Sequence, residues 1–394
     1  MLRVLTLSTL FPDVTRPNFG VFVERQTLGL AAHPDVDLRL VAPIGLAPWP
    51  LSRHPRYRQF ASVPAQESWK GLNTARPRFI NLPATQGRFH ARSLVRRLIP
   101  LLTVMRETFP FDVIDAQFFF PDGPAAIALG QHFGVPVSIK ARGADIHLWG
   151  HGPTGDEVRL AGIGADGLLA VSAAMRDDMV ALGMAADKIR VHYTGVDLDR
   201  FVPVDRAAAK AALGLSGPVI LSLGALVKRK GHAIIARALA DLPRATLLVV
   251  GEGDDRAALE REIAATGLGD RVRLLGAVDH ATLQRLIPAA DVMALASASE
   301  GLANAWVEAL ACGVPIVIPD IGGAREVVTD RAFGRIVERN APAFAAGIAD
   351  LLTNPPAPDE VRAGAARFTW AANTAALYDH LSGLIERRRR FTMI

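Results

Sequence analysis

Cysteine is nearly absent: Cys312 stands alone among 394 residues, which excludes an intramolecular disulfide and any zinc or iron–sulfur centre built on several thiolates. A reducing compartment fits. There is no uninterrupted apolar run of about 18 residues, the minimum for a membrane-spanning helix. The opening MLRVLTLSTLF lacks the long apolar stretch and cleavage site of a secretory leader, so a cytoplasmic protein is expected. Aromatics are scarce at 6% and do not interleave the basic runs, which argues against a nucleic-acid partner. No His/Asp cluster has ligand spacing, so no metal and no cofactor is expected. A complete G-x-G-x-x-G is missing as well. Gly251-Glu252-Gly253 has no third glycine and runs into Asp254 and Asp255, which would repel a pyrophosphate, and Gly20 lacks the full pattern too. A dehydrogenase reading therefore fails locally.

What is present is ample core material, with 50% of residues hydrophobic and 21% charged. At about 100 to 200 residues per domain the length calls for two domains. Apolar runs rich in Val, Ile and Leu alternate with amphipathic segments, as parallel sheets covered by crossover helices require. Strands are predicted near 2–8, 37–42, 111–117, 135–140, 166–171 and 189–193, with helices near 21–31, 92–107, 123–132 and 173–182. The interval from Pro43 to Gly87, rich in Pro, Arg and aromatics, has no clean period and reads as functional loop or irregular strands. The pattern restarts at Pro218. The expected architecture is α/β, with a Rossmann-like domain at 1–200, a second at 201–370 facing it across a cleft, and a terminal helix at 371–394 that crosses back to the first.

Asp291 to Asp320, DVMALASASEGLANAWVEALACGVPIVIPD, carries the densest pattern. A strand ends near Ser297, a short loop holds Glu300, a helix begins near Ala303, and Gly313 stops it. On one continuous helix Glu300 and Glu308 would point about 80° apart and sit about 12 Å apart along the axis, a spacing suited to two hydroxyl-bearing parts of one elongated ligand. Free N–H groups at Gly301, Leu302, Ala303 and Asn304 offer a phosphate site. The simpler reading is that Glu300 favours a helix N-terminus and Glu308 is an ordinary polar position.

This segment resembles the E-x7-E signature of retaining GT-B glycosyltransferases of family 4, including the Ala309-Leu310-Ala311-Cys312-Gly313-Val314-Pro315-Ile316-Val317 that follows. The resemblance extends through Val171-Ser172, Gly183, Lys188-Ile189 and Thr194-Gly195-Val196-Asp197 to Phe201. It continues in Ser222-Leu223-Gly224 through Lys230-Gly231, in Val250 to Gly253 and in Gly322 to Val327. Phe11-Pro12, the run from Gly20 to Gln26 and Pro121-Asp122-Gly123 are similar to a branch associated with cell-surface polysaccharide synthesis.

The resemblance implies a nucleoside-diphosphate sugar donor, UDP-linked foremost, and a saccharide or lipid-linked acceptor. It implies Lys230 and Arg229 at the departing diphosphate, Glu300 on the donor sugar, Glu308 on the ribose, Gly20 near the donor phosphate, and the backbone around Val278 at the base. Ala225 stands where the family usually has an arginine, and Arg229 or Lys228 is the available substitute. In Asp115-Ala116-Gln117-Phe118-Phe119-Phe120-Pro121-Asp122 the family's two histidines are absent, leaving Gln117, Asp115 or Asp122 for the acceptor side. Lys140 to His147 follows a buried strand, so Arg142 and Asp145 emerge at its carboxyl edge, either toward the acceptor or as an ion pair fastening the loop.

Arg88, Arg92 and Arg96 fall on one helical stripe beside Leu94, Val95, Leu98 and Ile99, with Pro100 as a candidate break. With Arg387 to Arg390 and Phe391 it suits peripheral docking on an anionic membrane, or else is a solvated basic face. Two alternatives to transfer remain open: a nucleotide-sugar epimerase on the same scaffold, and a non-catalytic sugar-nucleotide-binding subunit of a polysaccharide assembly complex.

Overall fold

The computed structural model describes residues 1–392; Met393, Ile394 and the side chains of Arg56, Phe391 and Thr392 lie outside the described residues. The chain forms two compact units, one made of residues 1–194 with the segment from Trp370 onward, the other of Gly195–Thr369.

In the first unit β1 (Leu2–Leu7) leads through α1 (Val21–Ala31) to β2 (Val36–Val41). The aperiodic interval resolves into β3 (Ile44–Leu46), the single turn α2 (Pro55–Arg58), β4 (Gln66–Trp69), β5 (Leu72–Ala75) and β6 (Arg78–Ile80). There follow α3 (His90–Thr108), β7 (Val113–Ala116), α4 (Asp122–Phe133), β8 (Val137–Ala141), α5 (Gly155–Gly164), β9 (Gly167–Ala170), α6 (Ala173–Ala181) and β10 (Ile189–Val191). Eight strands run β10-β9-β8-β7-β1-β2-β5-β4, parallel except for the β4–β5 hairpin, while β3 and β6 form a separate parallel pair. The short segments of Pro43 to Gly87 therefore lengthen one sheet edge instead of making a helix layer. Strands β7, β8 and β9 are buried at every position, as helices on both faces demand.

Pro100 does not break α3. It sits on the wet face, where the Arg96 carbonyl that loses its N–H partner can bond water. Ala91, Leu94, Leu98 and Leu102 form the buried stripe, leaving Arg92, Arg96 and Arg97 exposed.

The second unit comprises α7 (Arg206–Ala212), β11 (Val219–Leu223), α8 (His232–Ala238), β12 (Thr246–Val250), α9 (Arg256–Ala265), β13 (Val272–Gly276), α10 (His280–Ala289) and β14 (Val292–Ala294). It continues with α11 (Asn304–Ala311), β15 (Ile316–Pro319), the short α12 (Ala324–Val327), β16 (Gly334–Val337), α13 (Ala341–Thr353) and α14 (Pro358–Ala363). Its six strands are all parallel in the order β13-β12-β11-β14-β15-β16. The first unit ends at Thr194 and not at 200 because residues 195–201 are tied to the second. Val196 donates its N–H to the Phe368 carbonyl at 2.7 Å, and the Arg362 guanidinium donates to the carbonyls of Leu198 and Phe201, both at 2.7 Å.

The last helix, α15 (Trp370–Thr392), returns to the first unit. There Leu377, Leu381 and Leu384 share a core with Val4, Leu30, Val113 and Leu169.

Candidate functional site

Both sheets reverse winding direction beside their first strand, between β1 and β7 in one unit and between β11 and β14 in the other. Ligands of open α/β sheets lie outside the carboxyl ends of the strands at such points.

In the second unit the loops after β11 and β14 meet there. Lys230 reaches across 70 residues of sequence to Glu300, Nζ to Oε1 at 2.5 Å, and the Ser297 hydroxyl donates to the same oxygen at 2.6 Å. The Arg229 guanidinium stands 3.6 Å from it and donates to the Ser299 carbonyl. The loops are also joined by backbone, with Ala298 N–H donating to the Arg229 carbonyl at 2.7 Å. This closeness needs Gly231: its φ is +70°, and a Cβ there would stand 2.1 Å from the Ala296 oxygen. The Lys230 and Glu300 side chains are only 15% and 11% exposed, whereas Arg229 is 46% exposed. The cluster can thus present two cations to an anion while one carboxylate, anchored by a hydroxyl, accepts hydrogen bonds from a polyol.

Glu300 precedes α11, so the one-helix geometry does not describe it. Gly301, Leu302 and Ala303 are buried, and α11 starts at Asn304 with no side-chain cap, which leaves its first N–H groups to other partners. Glu308 is half-buried in the second turn of α11. Its charge adds to burial in pushing the Cys312 thiol up to about 12, so that lone cysteine is an inert core residue. Val278 lies half-buried on the loop from β13 to α10, two strand positions from β11 and three from β14, whose loops carry the Lys230–Glu300 cluster. Ala225, in place of the arginine, contributes its carbonyl to His232 Nε2 at 3.2 Å, and Nδ1 of that buried histidine faces the Ser222 hydroxyl at 2.9 Å. Ser297 and Arg339, whose guanidinium donates to the Ala296 carbonyl at 2.8 Å, escape sequence reading because nothing local marks them.

In the first unit Gly20 begins α1 at φ +72°, where a Cβ would press on the Leu10 carbonyl at 2.6 Å. The acceptor-side residues fall in two groups. Gln117 and Arg142 belong to a buried polar chain. Arg142 donates to the Gln117 carbonyl at 2.7 Å and to its Oε1 at 2.6 Å. Gln26 donates to the same Oε1 at 2.6 Å, and Lys140 donates to Gln26 Oε1 at 2.7 Å. Lys140 also contacts His192 Nδ1 at 2.7 Å, while Nε2 of that ring faces the Asn373 carbonyl of α15 at 2.8 Å. Burial holds Lys140 and His192 well below their ordinary pKa ranges. The Asp145 carboxylate is fully buried and accepts the backbone N–H groups of Arg142, Gly143 and Phe119. Asp122 is fully buried at the head of α4. One oxygen accepts the Thr9 N–H at 2.9 Å, the other has no partner, and burial pushes its pKa up to about 7. Among the described residues no group of three His, Cys, Asp or Glu could hold a metal, and no helix is long and apolar enough to cross a membrane.

Residues 205–368 match the family "Glycosyl transferases group 1" and residues 37–200 match "Glycosyltransferase Family 4". The D-inositol 3-phosphate glycosyltransferase of Segniliparus rotundus is 38% identical over 213 residues, 49% of this chain and 47% of that protein. That of Xylanimonas cellulosilytica is 35% identical over 243 residues, 57% of this chain and 58% of that protein. The chain thus spans about half the length of the curated relatives it matches. Sucrose-phosphate synthase from Thermosynechococcus elongatus superposes with a TM-score of 0.79 at 21% identity, covering 100% of both chains. Anabaena HepE, crystallised with UDP, superposes at 0.73 and 20% identity, covering 97% of this chain and 100% of its own. These likenesses establish a fold of two Rossmann-like α/β domains of the GT-B type.

Proposed function

Because the chain belongs to the group 1 and family 4 glycosyltransferases, we propose that it is an enzyme that moves a hexosyl unit from a nucleotide sugar, UDP-linked foremost, to a saccharide or lipid-linked acceptor. The transfer is retaining and serves cell-envelope or exopolysaccharide synthesis. The observation that carries this reading is the Lys230–Glu300–Ser297 cluster at the winding reversal of the second sheet. Lys230, Arg229 and the first N–H groups of α11 stabilise the charge that grows on the departing diphosphate, without a metal. The diphosphate takes the acceptor proton on the face it leaves. Glu300 accepts from a sugar hydroxyl and Glu308 from the ribose. The UDP found with HepE supports the choice of base, and the relatives' name supports a phosphorylated acceptor.

Thermal shifts with UDP, GDP, ADP and CMP test the donor site, because a ligand of the native state raises stability by mass action. UDP is expected to shift the wild type and not Glu308→Ala. Glu300→Ala should retain UDP binding and lose about 10²-fold or more in transfer rate, the usual cost of removing one positioned group. Absence of any nucleotide shift in the wild type would overturn the reading.

A further inference from the structure

The first unit holds two cavities that share Phe79 in their lining. At the winding reversal, Thr9, Phe120 and Pro121 open onto a cavity of about 530 Å³. Its walls are aromatic. Trp149 stacks on Phe120 at 5.1 Å between centroids, His90 stacks on the same ring at 6.3 Å, and the Arg16 guanidinium lies 4.2 Å from the Phe19 centroid. The C–H face of a pyranose packs on such rings, while Asn81 and Arg16 supply polar contacts to its hydroxyls.

Phe79 of β6 lines this cavity and also a second one of about 890 Å³. Successive residues part there: Asn81 and His90 line the first, Ile80 and Phe89 the second. The second is floored by apolar side chains, with Ile80 and Phe89 themselves 55% and 49% exposed. Its rim is cationic. Arg92, Arg96 and Arg97 stand against one carboxylate, Glu157, which Arg92 faces electrostatically. Arg96 and Arg97 have no hydrogen bond or ion pair among the described residues. An apolar floor under unpaired guanidiniums complements a molecule that joins a hydrocarbon chain to a phosphate.

We propose that the groove beside α3 takes the phosphate and the first carbons of a lipid-linked saccharide acceptor, whose sugar occupies the aromatic cavity beyond Phe79. This rests on the glycosyltransferase reading and narrows its acceptor to an amphiphile.

Calorimetric titration of the full chain with decyl phosphate below its micelle concentration tests the proposal, against inorganic phosphate, decanol and inositol 3-phosphate. Decyl phosphate is expected to bind at least tenfold more tightly than each of the three. The double variant Arg96→Ala/Arg97→Ala and the floor variant Ile80→Asp should each weaken it at least tenfold and leave UDP affinity unchanged, which also reports that they fold. Decyl phosphate binding no tighter than inorganic phosphate, or binding untouched in both variants, overturns the proposal. So does arginine-dependent capture by phosphatidylglycerol vesicles without binding of monomeric decyl phosphate, which would make the face a flat membrane contact. UDP binding without decyl phosphate binding defeats the amphiphilic acceptor alone, whereas loss of both defeats the glycosyltransferase reading as well.

Discussion

Lys230 and Glu300 neutralise each other in the second unit, 2.5 Å apart and mostly shielded from water. A diphosphate would replace the carboxylate as the lysine's partner and free Glu300 to receive a hydroxyl, so both charges are held ready by one contact. Asp122 illustrates the opposite case, a buried carboxyl with one oxygen unpartnered and a pKa near 7. Its folded pKa lies above the ordinary 3.8, so the folded state binds the extra proton and Asp122 contributes stability that is lost as pH rises from about 4 through about 7. Asp122→Asn removes that proton. The difference in unfolding free energy between variant and wild type should therefore move in the variant's favour between pH 5 and pH 8, by up to about 1.4 kcal/mol per pH unit. Denaturant titrations at the two pH values check this, and a difference independent of pH would refute it. Lys230 and Glu300 were legible in sequence because each sits in a short motif. The Lys140–Gln26–Gln117–Arg142 chain was not, since its members come from three separate segments that the fold brings together.

The elements themselves follow from local physics. Uninterrupted apolar runs became strands buried on both faces, and the 3.6-residue period of α3 survived Pro100 because its apolar stripe is anchored by four buried residues. Loops did not announce their contacts. Gly231 is marked in sequence only as the end of a motif, yet it lets the β11 loop touch Ala296, just past the end of β14. Gly231→Ala should cost clearly more stability than Gly267→Ala. At Gly267, φ is +68° but nothing lies within 4 Å of an added Cβ, so only the backbone cost of about 1–2 kcal/mol applies. Gly231→Ala should also weaken UDP binding, because the contact it disturbs positions Lys230. Equal melting temperatures for the two variants would contradict this account.

At the scale of the molecule, α15 belongs to the unit that the chain left 175 residues earlier. Leu381 is fully buried against that unit's core, and Leu381→Ala should cost about 2–5 kcal/mol. Calorimetry with saturating UDP separates the units: the transition lowered by the substitution should not be the one that UDP raises. A single transition lowered by Leu381→Ala and raised by UDP would instead show that the units unfold together. Composition, periodicity and short motifs sufficed to determine two parallel α/β units and a returning terminal helix, because those properties depend on neighbours in the chain. Only the tertiary structure decided that Ser297 shares an oxygen with Lys230, that Asp145 accepts the N–H groups of Arg142, Gly143 and Phe119, and that aperiodic residues 43–87 join α3 in shaping two cavities that share Phe79. Parallel strands gather their carboxyl-end loops from remote stretches of sequence, and side chains that meet there have no spacing to betray them.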